Sequence, residues 1–323
     1  MEAKNKQLYR DLCARQKDIP LFMQPWWLDH CCGANGWSLC LSRDKGGKIR
    51  GVLPYYLTHR WGLRMISNPI LSPYLGVHFN YPEGLEQTKR RYAFEHKVLK
   101  DLIQQVPKVH YFSQTQPIHF TNHLAFYWSK FRQRTYYTYL FDAPIDLNKR
   151  FEGMSSAVRN KIRKAEKQLK VHNHIAIDRF YSINQQSFDR QGMRMPYSLA
   201  LLRGLDRELG ERAQREVMVA EDEQGRAHAA IYLVWDEQYV YNLMLGADVV
   251  LRNSGAVQLL LWKGIQWAAK MGLAFDFEGS MDPRFASVFT AFGPRQQAYH
   301  HIYRFRYAWM ELIWALRKKG GWR

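Results

Sequence analysis

The stretch VMVAEDEQGRAHAAIYLVWDEQYVYNLMLGA, residues 217–247, decides how the chain is read. Two apolar runs flank the charged turn Glu223-Gln224-Gly225-Arg226, the signature of a hairpin with a glycine in its turn. A third run, Glu237 to Ala247, predicts another strand of the same meander. Next comes the loop Asp248-Val249-Val250-Leu251-Arg252-Asn253-Ser254-Gly255. Beyond it Val257, Leu260, Leu261, Gly264, Ala268 and Met271 recur at helical spacing. Gly272 is placed to end that helix, and Leu273 to Gly279 reads as the next strand. The order is three strands, loop, helix, strand.

The first half repeats this plan. WSLCLSRDKGGKIRGVLPYYL, residues 37–57, is again a hairpin, and Leu63 to Asn68 a third strand. A charged helical segment spans about 84–106, and KVHYFSQTQ, residues 108–116, is the strand after it. A plan repeated at an offset of about 180 residues predicts a duplication, with one boundary between residues 134 and 135. Between the copies, RTYYTYLFDAP at 134–144 reads as a strand. It leads to the helix MSSAVRNKIRKAEKQL at 154–169, which Ser155 or Ser156 can cap. Val158, Ile162, Ala165 and Leu169 give this helix an apolar face. Arg159, Lys161, Arg163, Lys164 and Lys167 crowd the rest, offset only by Glu166.

Composition bounds the function. With 323 residues and 46% hydrophobic content the chain can bury a core, which excludes wholesale disorder. No run reaches the roughly 18 uncharged apolar residues of a membrane span, and the first residues do not resemble a signal peptide. Cys13, Cys31, Cys32 and Cys40 match no zinc spacing and the histidines no ligand pattern, so no metal is expected and the thiols are read as reduced and cytoplasmic. A formal net charge of +18 predicts an anionic partner: nucleic acid, a phosphate-bearing substrate or an acidic membrane surface. The aromatic and basic C-terminal segment RYAWMELIWALRKKGGWR is either a docked last helix or an amphipathic helix on a membrane.

Two places carry candidate chemistry. Arg252, Asn253, Ser254, Gly255 and Ala256 open a helix after a strand, where exposed backbone N–H groups and the helix dipole favour a phosphate. Asp276 and Glu278 alternate with phenylalanines in FDFEGS, so in a continuous strand they share a face. Two acids this close are solvated, paired with cations such as Arg159 or Arg163, or chemically employed. Tyr241 and Lys263 are weaker candidates. Arg194, in Arg190-Gln191-Gly192-Met193-Arg194, is a cation able to grip an acidic group.

The three-strand meander, the Arg252-to-Gly255 loop, the helix and the following strand resemble the core of the GNAT N-acyltransferase fold. The duplicated plan, SSAVRNKIRKAEK and FDFEGSMDPRFASVFTAFG further resemble its Fem branch, the tandem aminoacyltransferases of peptidoglycan bridge formation, and their acyltransferase relatives. The resemblance implies an α+β (mixed α/β) chain of two tandem GNAT domains, a degenerate one over 1–134 and one carrying the donor site over 135–323. It implies an acyl-coenzyme A or aminoacyl-tRNA donor at Arg252–Ala256, and an amine acceptor, plausibly on an anionic or lipid-linked cell-wall precursor. Asp276, Glu278 or Tyr241 would then take a proton, and Arg159, Arg163, Lys164 and Arg194 hold substrate. Val257 stands where the GNAT loop usually has a small residue, and the coiled-coil arm of some Fem enzymes has no counterpart in 182–210. The reading is an N-acyltransferase that is cytoplasmic, either free or peripheral to the inner face of the membrane. Its rival is a non-catalytic module of the same fold that binds nucleic acid or an anionic membrane.

Overall fold

The computed structural model describes residues 2–60, 62–85, 87–190, 192–279 and 281–319, with residues 252 and 315–319 described by their backbone. The chain folds into two compact units, Met1–Tyr136 with Ala298–Arg323, and Tyr137–Gln297. Sequence reading set a single boundary, at 134/135; the contacts divide the chain at 136/137 and at 297/298.

The first unit opens with helices α1 (Glu2–Arg15) and α2 (Pro25–Cys32), then the hairpin β1 (Trp37–Arg43) and β2 (Ile49–Arg60), and β3 (Leu63–Ser67). The short β4 (His78–Phe79) pairs with β2. Helix α3 (Thr88–Gln105) leads to β5 (Tyr111–Thr115), which lies parallel to β3, and α4 (Leu124–Trp128) follows. Val98, Leu99 and Leu102 of α3 pack with Leu53, Ile66 and Phe112 of the strands. A Cβ on Gly51 would lie 2.3 Å from Val98, so the glycine in β2 sets how closely α3 can approach.

The second unit starts in β6 (Arg132–Phe141), followed by α5 (Leu147–Gly153), α6 (Ser156–Gln168), β7 (Lys170–His172), α7 (Ile177–Asp189) and α8 (Leu199–Glu211). The expected meander is β8 (Arg215–Glu221), β9 (Ala227–Trp235) and β10 (Tyr239–Ala247), turning at Gly225 with φ +73°. Helix α9 (Ala256–Met271) ends at Gly272 in the left-handed conformation and returns the chain to β11 (Ala274–Asp276), parallel to β10. Helix α10 (Pro283–Thr290) precedes β12 (Arg295–Phe305), which begins in this unit and ends in the first. Helix α11 (Ala308–Lys319) then follows in the first unit.

Strand order in the second unit is β6-β11-β10-β9-β8-β7. Val158, Ile162 and Ala165 of α6 and Leu260, Ile265 and Ala268 of α9 bury one face of this sheet. Helices α7 and α8 cover the other, where Phe180 packs on Tyr232 and the Tyr232 hydroxyl donates to Asp206 at 2.8 Å. The plan recurs in the first unit: three antiparallel strands, a helix, a strand parallel to the third, and an antiparallel strand beyond it. That last strand is β6 in the second unit and β12 in the first, so each comes from outside the run of the other five elements.

Candidate active site

The carboxyl edge of the parallel β10/β11 pair is where an open sheet offers a crevice. β11 pairs with β10 only from Tyr239↔Ala274 to Tyr241↔Asp276. Beyond it β10 runs on to Ala247 hydrogen-bonded to β9 alone, so among the described residues the two strands splay. The splay leaves one edge of β10 without a neighbouring strand.

The chain does not continue as a strand through FDFEGS, which corrects the shared face expected for Asp276 and Glu278. β11 ends at Asp276, which is wholly buried. Its Oδ1 accepts the backbone N–H of Glu278 at 2.8 Å and the Thr138 hydroxyl at 2.5 Å, while the Gly279 N–H donates to Thr138 Oγ1 at 2.8 Å. These bonds turn the backbone, and Glu278 adopts φ +51°, a conformation that costs a side-chain-bearing residue ~1–3 kcal/mol. Gly279 is required beside it: a Cβ there would sit 2.0 Å from the Tyr137 carbonyl oxygen.

Glu278 is only partly exposed as a residue, and its Oε1 is buried with no hydrogen-bond partner among the described residues. Burial, and then the Asp276 charge, hold its carboxyl well above the usual carboxylate range. The cation partners expected for the two acids are not on Glu278. Arg159 Nη1 donates to the carbonyls of Glu152 and Met154, at 2.5 and 2.7 Å, closing the end of α5. Arg163 lies over the Phe151 ring. A residue missed in the sequence stands beside the acids: Asn242, buried on the splayed part of β10, donates to the Phe277 carbonyl at 3.4 Å and leaves its own Oδ1 without a donor. Two buried acceptors lacking donors, on one edge, fit a ligand that brings N–H groups. Only the orphaned oxygen, invisible in sequence, marks Asn242.

At the end of β10 the loop is tied down by Asp248 Oδ1, which accepts from Val250 and Leu251 N–H at 2.7 and 2.9 Å. Arg252 to Ser254 make a 3-10 turn; Asn253 is exposed and Ser254 half-buried, while the Arg252 side chain lies outside the described residues. Ala256 N–H reaches Ser254 Oγ at 3.4 Å, and among the described residues the N–H groups of Val257 and Gln258 meet no acceptor. The Val257 side chain packs against the core, so it does not fill the loop. Gly255, φ +85°, allows a close approach, but to α6: a Cβ would be 2.7 Å from the Lys161 carbonyl oxygen. The basic helix thus adjoins the loop at Lys161, one of the five cations that crowd it in the sequence. Lys161 and Lys164 are both exposed. Lys263 pairs with Glu166 at 3.7 Å, bridging α9 and α6.

Helix α7 reaches the same edge. Ser187 Oγ accepts from Ala247 N–H at 2.9 Å, and Tyr197 Oη accepts from Asn184 Nδ2 at 2.6 Å and contacts Met244 Sδ at 2.9 Å. The connection between α7 and α8, with Arg194 exposed on it, therefore folds back over the splayed stretch of β10; Gln191 lies outside the described residues. Tyr241 is buried, and its hydroxyl donates to Asp236 at 2.9 Å, at the opposite, amino-terminal edge of β10. Among the described residues no group of three His, Cys, Asp or Glu is placed to hold a metal.

Residues 154–285 match the acetyltransferase (GNAT) domain family. No curated protein matches the sequence. Among solved structures, FemX superposes with a TM-score of 0.65 at 11% identity, over 91% of this chain and 95% of that one. A C-terminal domain named for lysylphosphatidylglycerol synthetase from Agrobacterium fabrum gives 0.54 at 12%, over 98% and 96%. L-PGS from Bacillus licheniformis gives 0.53 at 11%, over 90% and 91%. At these identities the superpositions speak for the fold, and the first unit resembles a second domain of the same kind. Residues 154–285 are thus a GNAT-like domain, and the family match supports an acyltransferase activity.

Proposed function

We propose that the second unit transfers an acyl or aminoacyl group from a phosphate-bearing activated donor to an amine. The observation that carries this is Glu278, a buried carboxyl with a raised pKa and an orphaned oxygen, next to the orphaned Asn242 Oδ1. An ammonium supplies what both lack. It brings hydrogen-bond donors, and its charge offsets the two acids that Asp276 and Glu278 place together. A carboxyl with a raised pKa is also the better base for such a cation, because its driving force for proton transfer is greater. Glu278 takes the proton, the free amine attacks the acyl carbonyl, the nitrogen–carbon bond forms, and the donor's carbon–sulfur or ester carbon–oxygen bond breaks. The second proton lost by the attacking nitrogen neutralises the departing thiolate or alkoxide.

The donor's phosphates would lie on the open amides of Val257 and Gln258, with Lys161 alongside. GNAT domains as a class take acyl-coenzyme A-type donors; the likeness to FemX keeps aminoacyl-tRNA as the other source. The likeness to FemX and to the lysylphosphatidylglycerol synthetase domain also supports an acceptor that is peptide- or lipid-linked, on a cell-envelope precursor. On this reading the enzyme meets it at the inner face of the membrane. The first unit, which repeats the strand plan without an equivalent of the Arg252-to-Gly255 loop, would be a second GNAT-like domain that has lost donor binding.

The test is amine-dependent release of free thiol from acetyl-coenzyme A, run beside transfer of labelled aminoacyl groups from tRNA to peptide amines. Turnover with either donor that is lost in Glu278→Gln, while calorimetry shows the donor still binding, supports the reading. Undiminished turnover in Glu278→Gln removes Glu278 from the chemistry.

A further inference from the structure

The net charge is not spread over the chain. Residues 1–136 and 298–323 carry 26 Lys and Arg against 10 Asp and Glu, a net +16, whereas residues 137–297 carry 21 against 19, a net +2. The unit that holds the candidate acyl-transfer chemistry is nearly neutral. The basic surface belongs to the other one.

That unit also exposes apolar side chains in an ordered way. On α11 the inward side is Met310, which is buried, and Trp314, which packs on Phe305 and under the Arg134 guanidinium. The outward side is Trp309, Leu312 and Ile313, spaced i, i+3, i+4 and 58%, 62% and 45% exposed. A helix with its outer stripe apolar lacks something to bury that stripe. Helix α4 shows the same: Leu124, Tyr127 and Trp128 are all exposed. The two helices are neighbours, because Arg132, just past α4, pairs with Glu311 of α11, and Arg304 donates to the Ser129 carbonyl at 3.2 Å. Beside them lies an open cleft of about 440 Å³ lined by Tyr127, Trp128, Lys130, Phe131 and Arg132.

We infer that the α4/α11 face of the first unit docks on an anionic lipid surface. Trp and Tyr suit the headgroup layer, where one end of the ring system is wet and the other apolar. Leu124, Leu312 and Ile313 suit the acyl boundary beneath it, and Lys130 and Arg132 meet acidic headgroups. Nucleic acid accounts for the charge and the aromatics but not for this stripe: branched aliphatic side chains give a base no stacking surface, and a phosphate backbone would not bury them. A net +16 on the unit with this face adds the long-range attraction that a short apolar helix needs to stay on a membrane. The inference does not depend on the donor or on the base, since none of these residues belongs to the candidate site.

The test is flotation of the full chain with vesicles of phosphatidylcholine alone or mixed with phosphatidylglycerol, near physiological salt, for the wild type and the double variant Leu312→Ser/Ile313→Ser. Both substituted side chains point outward, so the melting temperature should not move, and it is measured as the control. The expected result is binding only to the phosphatidylglycerol vesicles, weakened about tenfold or more in the variant. Lack of binding to either vesicle overturns the inference, as does equal binding by wild type and variant. Anisotropy with single-stranded RNA gives the remaining arm. Loss of RNA affinity in the variant, with vesicle binding unchanged, would make this a nucleic-acid face instead.

Discussion

Asp276 Oδ1 accepts the backbone N–H of Glu278 at 2.8 Å, so one buried carboxyl sets the backbone conformation of the residue that carries the other. The bond holds Glu278 at φ +51°. Burial raises the Glu278 pKa first, and the nearby Asp276 charge adds to it. The side chain that positions Glu278 thus also contributes to its tuning.

Glu278→Gln separates the chemistry from the fold. The variant should lose about 10²–10³-fold in kcat, with little change in KM for the donor. It should also be more stable than the wild type at neutral pH. A carboxyl whose folded pKa is raised adds nothing below its unfolded value, and above it the cost of ionising in a buried place grows with pH. The gain in melting temperature should therefore be clear at pH 7.5 and vanish near pH 4.5, the ordinary value for the group. A variant less stable than the wild type across that range would contradict the assignment.

Asp276→Asn keeps an oxygen to accept from Glu278 N–H and Thr138 but removes a charge. The Glu278 pKa then falls, because the Asp276 charge is one of the two causes that raise it. The acidic limb of the kcat/KM profile should shift to lower pH while the fold survives. Asp276→Ala, which frees the backbone of Glu278, should instead reduce kcat at every pH.

How much of this was legible follows from what sets each feature. The β8–β9–β10 meander, α9 and its stop at Gly272 rest on alternation, helical spacing and one glycine, all local and all readable. The second half of FDFEGS reads as strand by the same alternation, yet Asp276 captures the amide of Glu278 and ends the ladder. That competition depends on Thr138, far away in sequence, and no window of neighbours contains it. Asn242 is similar: a polar residue in an apolar strand looks incidental until its oxygen is found without a donor. Gly255 reads in sequence as part of a phosphate-binding loop; that its close neighbour is the Lys161 backbone of α6 is a tertiary fact.

Asn242→Ala removes one of the two orphaned acceptors and leaves Glu278 in place. If that oxygen meets the amine, KM for the acceptor should rise about 10- to 100-fold while kcat changes less, since a hydrogen bond to a charged group is worth ~1.5–3 kcal/mol. A fall in kcat alone would mean that Asn242 acts only through its bond to Phe277.

Gly255→Ala should cost far more than an ordinary surface change. Its φ of +85° disfavours any side chain, and the added Cβ meets the Lys161 carbonyl at 2.7 Å. Gly225→Ala is the control, with φ +73° but nothing within 4 Å of the new atom. The control should lose about 1 kcal/mol and Gly255→Ala ~2–4 kcal/mol in chemical denaturation. Donor affinity by calorimetry should fall in Gly255→Ala and not in the control, because only the first pushes α6 from the loop.

The histidines of the first unit oppose the Glu278 effect and make a contribution to stability that is lost in mild acid. His78 is 5% exposed, neither of its ring nitrogens has a hydrogen-bond partner, and burial lowers its pKa against the opposing pull of Asp18, 3.7 Å away. His123 and His300 of the same unit are lowered too, first of all by burial. A histidine with a depressed folded pKa stays neutral in the native chain while the unfolded chain takes up a proton. Stability is thus full above the ordinary value of 6.5 and drains away as the pH drops below it. His78→Gln, which cannot titrate, should be less stable than the wild type at pH 7.5, and the wild type's advantage in melting temperature should shrink from pH 7.5 to pH 5.5. A slope unchanged in His78→Gln would place the acid sensitivity in other groups.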